Sequence, residues 1–254
     1  MSQIMLDKSI QPAVRSVEAA KAYIEGYWTE RTEDFAQLRA EELHSGKHER
    51  WEQEIFHQLP EGKTLCILDV GCGSGFFSVL LAAAGHQVTA VDLTASMIEA
   101  GRRMAQAENC TVDFLVMDAE NLTFADEVFD VVISRNLVWT LPNPQQAYTQ
   151  WLRVLKPGGL LLNYDAEYAK DHHHQKLPSA NAHQNISDTL LDKCHNIYHM
   201  LEISGLERPV WDMQMLKSLG CQECEVDTAV GSRVYKEEDQ FYIPVPMFGI
   251  RAIK

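Results

Sequence analysis

Leu65-Cys66-Ile67-Leu68-Asp69-Val70-Gly71-Cys72-Gly73-Ser74-Gly75-Phe76-Phe77 runs from a short apolar segment through an acidic residue into a loop with glycine at alternate positions. Ile67, Leu68 and Val70 suit a central strand of a parallel sheet, which is buried on both faces. The glycines let backbone N–H groups approach a ligand closely, and the residues from Phe76 onward start a helix whose N-terminus points at the same place. Strand, tight turn and helix start in this order predict a ligand site at the strand's carboxyl end.

Two ligand classes use such a loop. A dinucleotide fingerprint wants glycine at the sixth position of G-x-G-x-x-G, where this chain has Phe76. That spacing disfavours a nicotinamide cofactor, and a nicotinamide-dependent oxidoreductase stays as the alternative reading. Leu68 to Gly75 resembles the first motif of the class I S-adenosylmethionine-dependent methyltransferases, of the small bacterial, menaquinone-biosynthesis-like kind. Further resemblances follow in the family's order: Val88 to Met97 is similar to the second strand and its acidic end, Val116-Met117-Asp118-Ala119 to the end of the third. Phe129 to Ser134 is similar to the fourth strand, and Leu155-Lys156-Pro157-Gly158-Gly159 to the turn before the fifth.

The resemblance implies S-adenosylmethionine as methyl donor, S-adenosylhomocysteine as product, and a role for each matched position. Asp92 would hold the ribose hydroxyls, Leu93 and Met97 would lie against adenine, and Asp118 would take the adenine amino group. Asp69, Gly71, Gly73, Gly75, Ala119, Arg135 and Asn136 complete the cofactor set. The implied fold is a Rossmann-like, seven-stranded, mostly parallel α/β sheet with a helical N-terminal leader and a helical insertion after strand five.

Composition limits the partners. The chain has 254 residues, 46% of them apolar, enough for one large α/β domain with insertions. A formal charge of −14 without a run of basic residues argues against a nucleic-acid partner. No segment reaches the roughly 18 to 20 apolar residues that span a bilayer, and Met1 to Lys8 lacks a signal-peptide core, so a cytoplasmic enzyme acting on a small molecule is expected. The six cysteines read as reduced thiols, since Cys66 falls in the core strand and Cys72 in the glycine loop.

Taken in order, residues 1–62 read as a helical lid, 63–168 as the cofactor-binding core, 169–208 as a helical substrate cap, and 209–254 as a helix and antiparallel hairpin completing the core. In the leader, Ser16, Thr32 and Ser45 each stand where a helix could start. The pattern Tyr27-Trp28-Thr29-Glu30-Arg31…Phe35 is similar to the leader of many small bacterial methyltransferases, which places Trp28 and Arg31 at the cofactor's methionine end and Phe35 at the substrate. Read without the resemblance, Trp28 and Phe35 are helix-packing residues and Arg31 a solvated charge.

The acceptor side is written less clearly. Tyr168 and His172 follow strand five closely enough to act as a base toward an acceptor hydroxyl, amine or thiol, and Trp139 follows strand four closely enough to wall its pocket. Asp188, Asp192, His195 and His199 share one helix face at spacings of four, three and four, with Leu190, Cys194, Ile197 and Leu201 opposite. An amphipathic helix explains that pattern, so no metal site is assigned. Cys221-x-x-Cys224 has no second pair and is not read as a zinc site. A non-catalytic S-adenosylmethionine- or metal-binding sensor is a further alternative.

Overall fold

The computed structural model describes residues 16–171, 186–242 and 244–254. Two helices, α1 (Val17–Leu43) and α2 (Gly46–Phe56), precede β1 (Cys66–Val70), α3 (Phe76–Ala83), β2 (Gln87–Asp92), α4 (Ala95–Ala107) and β3 (Asp113–Val116). Then come β4 (Phe129–Arg135), a 3-10 turn at Val138–Thr140, α5 (Pro144–Val154), β5 (Leu155–Ala166) and the short α6 (Tyr168–Asp171). The last part holds α7 (Asp188–Met200), a 3-10 turn at Glu202–Gly205, α8 (Val210–Ser218), β6 (Glu223–Asp227), α9 (Val230–Val234) and β7 (Met247–Ile253).

The seven strands form one sheet in the order β3-β2-β1-β4-β5-β7-β6, the Rossmann-like architecture the sequence implied. Strands β1 to β5 pair in parallel, and β7 runs antiparallel to both β5 and β6. From β1 the chain builds outward to β2 and β3, then returns to place β4 and β5 on β1's other side. The carboxyl ends of β1 and β4 therefore flank the switch point where ligands collect in such sheets. β6 and β7 pair without a tight turn, because α9 and a loop intervene; Val230 and Val234 are fully buried.

Alternation along β1 sends its side chains into two core layers. Leu68 and Val70 pack with Val91, Val132 and Leu161 on one face, while Ile67 packs with Ala90, Val131 and Leu162 on the other. α3 is buried along most of its length, from Phe76 to Leu81, which fixes the glycine loop against the sheet.

The leader departs from the sequence reading in one respect. α1 is a single helix of 27 residues, where Thr32 suggests a break. The Thr32 hydroxyl donates to the Trp28 carbonyl at 2.9 Å and lies 2.7 Å from Ser96 Oγ on α4. Its polar atom is satisfied inside the helix and across to a neighbour, so it caps nothing. Ser16 and Ser45 are the N-caps of α1 and α2. Among the described residues no helix is long and apolar enough to cross a membrane.

Candidate active site

A cavity of about 310 Å³ opens at the carboxyl ends of β1, β2 and β4 and is roofed by α1. At one end it is lined by Asp69, Gly71, Gly73, Asp92, Leu93, Met97, Asp118 and Ala119; Arg135 and Asn136 stand at its middle. The Asp92 carboxylate ties this end together: Oδ2 accepts the Gly73 N–H at 2.9 Å and Oδ1 accepts the Thr94 N–H at 2.8 Å. Those bonds pull the carboxylate down, but burial outweighs them and its pKa lies above the usual range.

Gly73 has φ of +53°, and a Cβ there would lie 3.3 Å from the Phe35 ring of α1. The positive φ favours glycine here, and a side chain would also crowd the Phe35 ring. Gly75 serves a different purpose. A Cβ on it would meet the Phe114 ring at 2.9 Å, so this glycine lets α3 pack against its neighbours and does not line the cavity.

Asp69 is fully buried and accepts the Ser78 hydroxyl at 2.5 Å. Burial pushes its pKa up to about 7, with Ser78 opposing and Asp92 adding to the rise. Nearby, Arg135 sits in a cage of aromatic rings, 4.7 Å from the Trp51 ring centre and 5.0 Å from that of Phe76. One of its nitrogens donates to Glu42 of α1 at 2.8 Å and to the Tyr235 hydroxyl. Arg39 also pairs with Glu42. Desolvation works against it, yet the two guanidiniums hold the Glu42 carboxyl below its usual range. Two buried guanidiniums against one carboxylate leave positive charge over, and Nε and Nη1 of Arg135 have no partner among the described residues.

The other end of the cavity is aromatic. Trp139 packs against Tyr168 at 5.3 Å and against Tyr198 of α7 at 5.1 Å, with Tyr27, Trp28 and Cys194 also facing the space. The backbone N–H of Trp139 donates to Asp165 Oδ2 at 3.1 Å, and Asp165 pairs with Arg208 at 2.8 Å. Arg208 in turn grips Asp212, which accepts the Tyr148 hydroxyl at 2.6 Å. Tyr168 donates to Asn136 Oδ1 at 2.8 Å, and desolvation raises its pKa far above the ordinary value. The phenol is a donor to Asn136 and forms part of the cavity wall.

Most residues singled out in the sequence therefore meet around one space: Trp28, Phe35, Asp69, Gly71, Gly73, Asp92, Leu93, Met97, Asp118, Ala119, Arg135, Asn136, Trp139 and Tyr168. Arg31 does not line it. Its side chain is buried beside Tyr27, and Arg39, two turns on, reaches the space instead. His172 lies outside the described residues. Lys21, Arg39, Glu42, Cys194, Tyr198 and Tyr235 were not legible as site residues; only the Arg39/Glu42 spacing of three on a helix was a signal. On α7, Asp188, Asp192 and His199 are exposed while Cys194, Ile197 and Tyr198 are buried, the amphipathic pattern. Among the described residues no three His, Cys, Asp or Glu side chains are grouped to hold a metal ion.

Residues 68–163 match a family described as methyltransferase domain. Over that segment, well under half of the chain, the sequence is similar to a methyltransferase domain. Within that segment lie the glycine loop, Asp92, Asp118, Arg135, Asn136 and Trp139, whereas α1 and α7 lie outside it. Over 95 residues the chain is 35% identical to a ubiquinone biosynthesis O-methyltransferase of Coxiella burnetii, covering 37% of this chain and 41% of that protein. Over 121 residues it is 37% identical to a ubiquinone/menaquinone biosynthesis C-methyltransferase of a Ruegeria species, covering 46% and 48%. The chain thus matches less than half the length of these curated relatives. Among solved structures, phosphoethanolamine N-methyltransferase 1 of Haemonchus contortus, in complex with phosphoethanolamine and S-adenosylhomocysteine, shares the fold with a TM-score of 0.65. Its identity is 14%, over 94% of this chain and 50% of that one.

Proposed function

We propose that this protein transfers a methyl group from S-adenosylmethionine to a small-molecule acceptor with an apolar, planar body. The observation that carries the reading is the row of acidic residues Asp69, Asp92 and Asp118 at successive strand ends around a loop whose Gly71 and Gly73, both at positive φ, line the cavity. Asp92 keeps lone pairs for a ribose diol beyond its two backbone bonds, and Asp118 faces the adenine amino group. Asp69, Arg39 and Arg135 line the same cavity, and their opposite charges would suit the ammonium and carboxylate of an amino-acid end.

The donor sulfonium supplies an already activated methyl group. The protein's share of the work is to align the acceptor with it and to keep water out. Trp28, Trp139, Tyr168 and Tyr198 present flat apolar faces that would stack on a ring system and hold its nucleophilic atom in line. The α1 roof excludes solvent. Tyr168 and Asn136, joined by a hydrogen bond, can orient a polar atom of the acceptor without removing its proton. Chemistry of this form needs an acceptor that is ionised, or readily ionised, at working pH. The relatives' quinone biosynthesis names are compatible with that acceptor class.

The test is a thermal unfolding series with S-adenosylmethionine, S-adenosylhomocysteine, NAD, NADP and no ligand. A one-site ligand at about 100 times its Kd adds about 2.7 kcal/mol, which raises the midpoint by several degrees. A shift with the adenosyl compounds alone supports the reading and justifies an acceptor screen that measures S-adenosylhomocysteine release. A shift with NAD or NADP alone would replace it with the oxidoreductase.

A further inference from the structure

One side chain of α1 reaches the end of the cavity assigned to the purine. Lys21 Nζ lies 2.7 Å from Asp118 Oδ2 and 2.6 Å from Glu120 Oε2. Each carboxylate is anchored by a backbone group on its other oxygen. Asp118 Oδ1 accepts the Glu120 N–H at 2.9 Å, and Glu120 Oε1 accepts the Asn143 N–H at 2.6 Å. Lys21 and Asp118 both line the cavity, while Glu120 is nearly fully buried behind them.

The ammonium therefore stands between two carboxylates that would otherwise repel each other, and it pulls the Asp118 oxygen to one fixed position. That position matters because of what it faces. A carboxylate is an acceptor only, so it matches the exocyclic amino group of a 6-aminopurine and opposes the carbonyl oxygen of a 6-oxopurine. A site built to hydrogen-bond one group rejects the analogue lacking it far more strongly than an apolar pocket does. The chain separation is large, 97 residues between Lys21 and Asp118, so the pairing exists only when α1 is seated on the methyltransferase core.

We propose that Lys21 is a positioning residue for cofactor recognition: by pinning Asp118 from the leader helix, it makes the choice of an adenine over a 6-oxopurine depend on α1. The proposal rests on the methyltransferase reading, since it takes the ligand's purine to lie beside Asp118. It adds a partner for that carboxylate and a reason for the leader to contribute to selectivity as well as to closure.

Calorimetric binding of S-adenosylhomocysteine and of S-inosylhomocysteine to the full chain tests it, using wild type, Lys21→Met, Lys21→Arg and Asp118→Asn. Wild type is expected to prefer the adenosyl compound by about tenfold or more. Lys21→Met should bind the adenosyl compound about five- to tenfold more weakly, so that the preference collapses toward parity. Lys21→Arg, which keeps the charge, should retain most of the preference. Asp118→Asn, whose amide also donates, should move the ratio toward the inosyl compound. A Lys21→Met protein with the wild-type ratio overturns the proposal, even if both affinities fall together, as does a Lys21→Arg protein as indifferent as Lys21→Met. Failure of wild type to bind S-adenosylhomocysteine overturns the methyltransferase reading itself, whereas normal binding with an unaffected Lys21→Met overturns only the role of Lys21.

Discussion

The two ends of the cavity are built by different means. At the cofactor end, the acids Asp69, Asp92 and Asp118 sit at or just beyond the end of a strand, and Asp92 is fixed by backbone N–H groups of its own turn and of the adjacent glycine loop. At the acceptor end, Tyr27, Trp139, Tyr168 and Tyr198 come from four separate elements, and Trp139 packs its ring against those of Tyr168 and Tyr198. What fixes that end is one buried ion network, Asp165–Arg208–Asp212, beneath Trp139. The cofactor end follows from local backbone geometry, and the acceptor end from a tertiary agreement among distant residues. Changes at the second should therefore cost stability first, and changes at the first should cost affinity.

The largest effect is expected from Arg208→Met. It leaves Asp165 and Asp212 buried without their counter-ion, a change that costs about 3–5 kcal/mol in comparable buried pairs. Urea denaturation would measure it, and a loss below about 1 kcal/mol would mean that the network does not hold the acceptor end. Asp92→Ala should show the opposite pattern. Losing the charge-assisted bonds to the ribose should weaken S-adenosylhomocysteine binding by about 1.5–3 kcal/mol by calorimetry, with the fold retained. A large fall in stability at unchanged affinity would erase the contrast between the two ends.

A third prediction sharpens the comparison through pH. Burial lifts Asp69 from 3.8 to about 7, so the folded protein holds this proton more tightly than the unfolded chain does. Its contribution to stability is full below about pH 4 and is lost as pH rises through about 7. Binding runs the other way, because a ligand ammonium favours the ionised form. Affinity for S-adenosylhomocysteine should rise by up to about tenfold per pH unit below 7 and flatten above it, and Asp69→Asn should abolish the slope. A flat wild-type profile would remove Asp69 from the ligand's ammonium.

The smallest expected effect on the fold is from Trp139→Phe. Nε1 of Trp139 has no partner among the described residues, so the substitution breaks no side-chain hydrogen bond. Stability should fall by less than about 1.5 kcal/mol, and cofactor affinity should not change. Turnover with an acceptor should fall because a stacking face is lost, and an unchanged rate would place the acceptor elsewhere.

This contrast also explains what the sequence disclosed. The apolar run ending at Val70, the glycines after it and the acids Asp92 and Asp118 are local patterns, each readable within a dozen residues and repeated in the order of a known family. Thr32 misled because a hydroxyl that bonds back to the carbonyl four residues earlier looks, in sequence, like one that starts a helix. Arg31 was singled out by the resemblance of the Tyr27–Phe35 pattern to a family leader, and only the packing of α1 against the core decides which guanidinium turns inward. Lys21 and Tyr235 offered no local sign at all. Their partners are remote in the chain, and nothing short of the fold brings them to the site.

α1 runs unbroken for 27 residues, about 40 Å at 1.5 Å per residue, and touches the cavity from Lys21 at one end to Arg39 at the other. One helix thus supplies side chains to both compartments, so a substitution that shifts α1 as a body reaches the adenosyl end and the acceptor end together.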